Sequence, residues 1–110
     1  MSRKLKPMTE ELKTRLLEVS AALRSHYGAR FQSLIACPQE RADQLELLLV
    51  LRDSVNQMRE LLRVEPVALR FSTFELELSI LPVSQAAFDA ALEPSLWEAK
   101  FVGVVIDAAS

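Results

Sequence analysis

Residues 44–51, Gln-Leu-Glu-Leu-Leu-Leu-Val-Leu, are apolar at every position after Glu46. A short apolar run of this kind, bounded by polar turn residues, reads as a strand whose two faces are both covered, because a half-exposed strand alternates instead. The stretch predicts the middle strand of a sheet. Its opening residues are different in kind. Gln44 and Glu46 stand two apart, so both side chains project from the same face of the strand. Two polar groups held that way can form a working site or the remains of one.

The flanking chain supplies the rest of a layered domain. Thr9 followed by Glu10 and Glu11 is an N-cap with first-turn acids. Leu12, Leu16, Val19, Leu23 and Tyr27 then recur at steps of three and four, which predicts a helix over residues 10–27 ended by Gly28. Arg30 to Cys37 reads as a strand stopped by Pro38, and residues 38–43 as a polar turn. Ser54-Val55-Asn56-Gln57 fits a reciprocal cap, with Val55, Met58, Leu61 and Leu62 as the buried stripe of the helix that follows. Pro66 either ends that helix or opens a further helical piece through about Arg70.

Phe74 to Leu81 alternates strictly, with Phe74, Leu76, Leu78 and Ile80 on one face, and predicts another strand. Ser84 is suited to cap a helix through Leu92, and Pro94-Ser95 to open one that carries Leu96, Trp97 and Phe101, with Trp97 and Phe101 read as core residues, although an exposed edge of the two would suit a partner. Gly103 ends it, and Val104-Val105-Ile106 forms a last strand. Residues 1–8 read as a flexible, basic tail. The order of elements predicts a single α+β domain over residues 1–110, with a mixed sheet of about four strands and helices packed against it.

Composition narrows the chemistry. Of 110 residues half are hydrophobic, and the formal net charge is -2, which argues against a phosphate backbone as the main partner. Arg3, Lys4 and Lys6 read as a solvated tail rather than a nucleic-acid arm. Cys37 and His26 are the only residues of their types, so neither an intrachain disulfide nor a zinc cluster of Cys and His can be assembled. Cys37 reads as a small buried apolar residue and His26 as a surface group favoured at a helix C-terminus. The chain lacks both a signal-peptide pattern and a run of roughly 20 apolar residues, which predicts a cytoplasmic protein that does not enter a membrane.

Several words of the sequence carry a resemblance. They are Leu23 to Tyr27 with Gly28-Ala29-Arg30, Leu47-Leu48-Leu49-Val50-Leu51, Ser79-Ile80-Leu81-Pro82-Val83-Ser84, and Lys100-Phe101-Val102-Gly103-Val104-Val105-Ile106. In this order the chain resembles the minimal nucleotidyltransferase domains of the DNA polymerase beta superfamily, over about residues 12–107. The resemblance implies a nucleotidyltransferase-like sheet. In active members a Gly-Ser turn follows the first strand, two aspartates one residue apart stand on the second, and a third acid stands on a later strand. Those acids hold two magnesium ions for phosphoryl transfer.

Carried over by position, the paired acids correspond to Gln44 and Glu46, the third to Glu77, and the turn to Cys37-Pro38. Each departs from the pattern. Gln44 offers a neutral carbonyl to a hard ion, and Glu46 and Glu77 are one methylene longer than aspartate. Pro38 lacks the amide that a phosphate-binding turn would present. The resemblance therefore implies a degenerate domain with no catalytic residue, no metal and no cofactor, acting through a protein partner or as a homodimer. Stand-alone minimal members resemble the antitoxin halves of two-gene modules, which suggests an antitoxin-like partner for a helical toxin. The alternative is an active magnesium-dependent nucleotidyltransferase whose altered site uses Glu46 and Glu77, with Glu75 or Asp43; weak nucleotide binding suits either reading. The bland account is also open: Gln44 and Glu46 as a strand end reaching water, and Glu75 and Glu77 as the wet side of a half-exposed strand.

Overall fold

The computed structural model describes residues 9–37 and 41–109. The expected tail at residues 1–8, and Pro38 in the turn, lie outside the described residues. Helix α1, Glu10–Tyr27, starts where the Thr9 hydroxyl accepts the Leu12 amide at 3.1 Å, and ends at Gly28, whose φ of 57° is costly for any side chain with a Cβ. A single 3-10 turn at Gly28–Arg30 leads into β1, Phe31–Ala36, followed by β2, Gln44–Leu51. Helix α2, Gln57–Phe71, joins β2 to β3, Glu77–Ser84. Two short helices, α3 (Gln85–Ala90) and α4 (Pro94–Val102), precede the last strand, β4, Val104–Ala108.

The four strands form one mixed sheet in the order β3-β2-β1-β4. β1 runs antiparallel to both β2 and β4, whereas β2 and β3 are parallel, as a crossover through α2 requires. β2 is an inner strand, buried from Leu47 to Leu51 on both faces. Leu45, Leu47, Leu49 and Leu51 pack with Leu16, Val19 and Leu23 of α1 and with Val64 and Ala68 of α2. Leu48 and Val50 pack on the other face with Leu96 and Ala99 of α4. The alternation of β2 thus serves two cores, one per face.

β4 is fixed to α1 by charge. Asp107 accepts Arg24 Nε at 2.6 Å and Nη2 at 2.9 Å, and the Ser20 hydroxyl at 2.5 Å. The Arg24 hydrogen bond, helped by that of Ser20, holds the Asp107 carboxyl below its ordinary pKa. On the opposite face, a Cβ added at Gly103 would stand 2.5 Å from the Ala99 carbonyl oxygen and 2.7 Å from Ile35 Cγ2. The glycine therefore sets the close approach of the α4–β4 junction to β1.

The structure revises several local expectations. α2 runs unbroken through Pro66, which stands exposed within it. Its cap is Asn56, whose side chain accepts the Arg59 amide at 3.1 Å. Met58 and Leu62, expected in the core, are 70 % and 63 % exposed, because Glu60, Val64 and Ala68 take the buried positions. β3 begins at Glu77 rather than Phe74: Thr73 and Leu76 exchange backbone hydrogen bonds in a tight turn that leaves Phe74 fully exposed. It also continues past Pro82, which an edge strand tolerates; the Pro82 carbonyl accepts Gln57 Nε2 at 2.8 Å. Trp97 and Phe101 are more than half exposed, because Leu96 and Ala99 occupy the inward side of α4. Cys37 is buried, as a small apolar residue would be.

Candidate functional site

The parallel register of β2 and β3 pairs Gln44 with Glu77, Leu45 with Leu78, and Glu46 with Ser79. Leu45, Leu78 and their alternates face α1 and α2, so Gln44, Glu46 and Glu77 project on the opposite side. The three positions named from sequence share one face and one end of the sheet, where two parallel strands begin. Backbone hydrogen bonds tie the strands together at this end. The Cys37 amide donates to the Glu46 carbonyl at 3.0 Å, and the Glu77 amide donates to the Asp43 carbonyl at 2.8 Å.

Gln44 and Glu77 are exposed and Glu46 is half-buried. Among the described residues neither glutamate has an ion pair, whereas Asp43 is paired with Arg41 at 3.0 Å. Glu75 stands exposed in the turn before β3. Hard divalent cations take several charged oxygens at once. Gln44 supplies a neutral carbonyl, and among the described residues no group of three His, Cys, Asp or Glu side chains is placed to hold an ion. Among the described residues, Gln44, Glu46 and Glu77 do not by themselves supply the charged oxygens of a magnesium centre.

The opposite end of the sheet carries a second polar cluster, which the sequence reading did not find. Glu60 is 2 % exposed on the inward side of α2. Its carboxylate accepts Arg30 Nη2 at 2.5 Å, Arg63 Nη1 at 3.3 Å and, more weakly, the Tyr27 hydroxyl at 3.4 Å. The Nε of Arg30 also reaches Asp53, at 2.8 Å from Oδ2. One guanidinium therefore bridges two carboxylates, and these hydrogen bonds, first to Glu60 and then to Asp53, raise its pKa. Burial, with the charge of Glu60 beside it, pushes the Tyr27 hydroxyl up to about 12. The signal available in the sequence was a glutamate at the inward position of α2, four residues before Val64.

This second cluster is saturated. Each acid has a cation and the tyrosine hydroxyl donates to a carboxylate, so the groups are engaged with one another. Its chemistry is structural: it joins the end of α1, the start of β1 and the first turn of α2. A cleft of about 320 Å³ lies beside the C-terminal half of β3, with Val55, Leu81, Val83 and Leu96 in its walls and Gln57 and Glu93 among its polar groups. His26 is exposed and packs edge-on against Tyr27 with ring centroids 5.0 Å apart. Among the described residues no helix is long and apolar enough to cross a membrane.

Compared with models of protein families, with curated proteins and with solved structures, the chain gave no match in any of the three.

Proposed function

We propose that this chain is a catalytically degenerate, nucleotidyltransferase-like protein of the cytoplasm that acts as a protein-binding module, in its most specific form the antitoxin-like partner of a helical toxin. The observation that carries the reading is the placement of large apolar side chains in water. Met58, Leu62 and Leu69 on α2, and Trp97, Phe101 and Val105 at α4 and β4, are each more than half exposed. A folded chain of this size has a limited stock of such residues, and leaving them outside the core in coherent groups is the mark of an interaction surface. Trp97 and Phe101 lie against each other, with centroids 5.1 Å apart, as a ready aromatic anchor.

The acid face supports the same reading from the other side. Gln44, Glu46 and Glu77 stand at the shared start of adjacent parallel strands, and only two of the three carry charge, which supports a degenerate site over a working one. A homodimer is one form of the module. β4 is an outer strand of the sheet and carries no proline or lysine, so a second copy can pair along its edge and cover Val105 and the aromatic pair.

Titration calorimetry of the purified chain with each nucleoside triphosphate and either magnesium or manganese tests the reading, alongside light scattering and recovery of partners from the source cells. We expect no heat of nucleotide binding, and either a dimer or a stoichiometric partner. Metal-dependent transfer of a labelled nucleotide that disappears in Glu46→Ala would establish the enzymatic alternative. A strictly monomeric chain that recovers no partner would remove the binding module.

A further inference from the structure

Helix α2 carries three parallel rows of side chains, each stepping by four, three and four residues. Glu60, Val64, Val67 and Phe71 form the inward row, all buried or half-buried. Met58, Leu62, Glu65 and Leu69 form an outward row, in which the three apolar residues are 70 %, 63 % and 68 % exposed. Arg59, Arg63, Pro66 and Arg70, all exposed, run beside it one residue on. With 3.6 residues per turn, each such row stays on one side of a helix over its whole length. α2 is therefore amphipathic twice, with one apolar stripe for its own core and another turned outward beside a column of arginines.

On the reading of this chain as a binding module, we propose that the outward face of α2 receives an amphipathic helix of a different protein, one whose apolar stripe is flanked along one side by aspartates and glutamates and interrupted by a basic residue opposite Glu65. The apolar row gives the contact its seam, in the manner of a helix laid against exposed anchors at spacings of three and four. The arginines give it sign. Arg63 is shared with Glu60 at 3.3 Å and Arg70 lies over the Phe71 ring at 5.0 Å, so these two guanidiniums lean toward the inward row and mark the edge of the outward face.

A second copy of this chain does not suit the same face. In a two-fold antiparallel pairing of α2 with α2, each flank meets its own equivalent, which sets the arginine columns against each other. In a two-fold parallel pairing each residue of the seam meets itself, which sets Glu65 against Glu65. Both arrangements bring like charges together while removing water from them, a cost that works against the homotypic pair. Phosphate backbones suit the arginines but leave the central leucines with nothing to bury them. An acidic helix satisfies both rows.

The test uses fluorescein-labelled peptides of about three helical heptads, with leucines at the four-three spacing and either glutamates or lysines along one flank, read by anisotropy against the full chain. The glutamate peptide should bind about tenfold or more tightly than its lysine twin at low salt, as several exposed charge pairs allow, with the difference shrinking as salt rises. Arg59→Glu with Arg70→Glu should reverse the preference. Leu62→Ser with Leu69→Ser should abolish binding of both peptides; all four positions are exposed, so circular dichroism should report an unchanged fold. Equal binding of the two peptides, binding of neither, or a duplex oligonucleotide that binds without need of Leu62 would overturn the proposal. So would self-association lost in Leu62→Ser. A dimer through β4 with no peptide bound removes this surface and leaves the module standing, whereas nucleotide transfer dependent on Glu46 removes the module whatever the peptides do.

Discussion

Glu60 and Glu46 lie on opposite faces and toward opposite ends of the same sheet, and the surroundings of each decide what a carboxylate does there. Glu60 is 2 % exposed and is met by Arg30 at 2.5 Å and Arg63 at 3.3 Å, with Asp53 balancing the second edge of the Arg30 guanidinium. Glu46 is half-buried beside an exposed Gln44 and an exposed Glu77, with no ion pair among the described residues. The first carboxylate depends on its partners because water cannot replace them. The second is partly open to solvent, which can stand in for a cation. Removing charge at one end should therefore cost stability, and removing it at the other should cost almost none.

The largest effect belongs to Arg30. Arg30→Ala strips Glu60 of its shortest contact and leaves a buried carboxylate with only Arg63 and Tyr27, a loss expected to be about 3–5 kcal/mol in denaturant unfolding. Arg30→Lys should recover only part of it, because an ammonium lacks the fork that spans Asp53 and Glu60 together. If Arg30→Ala unfolds with an unchanged midpoint, the cluster is not what joins α1, β1 and α2. Next in size is Glu60→Gln. It keeps the shape and part of the hydrogen bonding but leaves Arg30 and Arg63 facing a neutral amide, and about 1–3 kcal/mol should be lost.

A smaller effect is confined to alkaline solution. The Tyr27 hydroxyl is raised from 10.0 to about 12 by burial and by the neighbouring Glu60 charge. Folding favours the protonated phenol, so its contribution is complete below the unfolded value of about 10 and is lost as pH rises from there through about 12. The thermal midpoint should fall over that interval, and should fall less steeply in Tyr27→Phe, which has no proton to release. Parallel melting curves of the two proteins between pH 9 and 12 separate this contribution from that of the other basic groups.

The two ends of the sheet were unequally legible in the sequence. The i, i+2 spacing of Gln44 and Glu46 is a local fact, and a strand apolar on both faces has to be an inner strand, so the middle of the sheet and its polar end could be read directly. The α1 stripe and the caps at Thr9 and Ser84 are local in the same way, and the structure has both caps. The Glu60 cluster is not local: its closest acceptor and donor are 30 residues apart. Without Arg30 opposite it, a glutamate at position 60 looks like a solvent residue, and Met58, Leu61 and Leu62 then look like the core stripe. The pattern alone therefore turns α2 the wrong way round. Trp97 and Phe101 failed similarly, because size favours the core in general while the close approach at Gly103 gives the inward side of α4 to Leu96 and Ala99.

The smallest effect expected is also the sharpest test of the contrast. Replacing Glu46 and Glu77 together by alanine should change the unfolding free energy by no more than about 0.5 kcal/mol, the range of surface substitutions away from buried networks. A larger loss would mean that these side chains hold the start of β2 to the start of β3. A clear gain would mean that holding polar groups on this face costs the fold something, as a retained site would. The reverse change separates a vestige from an ordinary strand end. Gln44→Asp, Glu46→Asp and Glu77→Asp combined place three short carboxylates on adjacent parallel strands, in the register that pairs position 44 with 77. If the scaffold still has the geometry of an ion site, manganese should raise the thermal midpoint of this variant and not of the parent, because only a folded chain can gather the three acids. If manganese leaves both midpoints unchanged, the shared start of β2 and β3 does not have the geometry of an ion site, and Glu46 stands there as the polar opening of a strand that is buried from Leu47 onward.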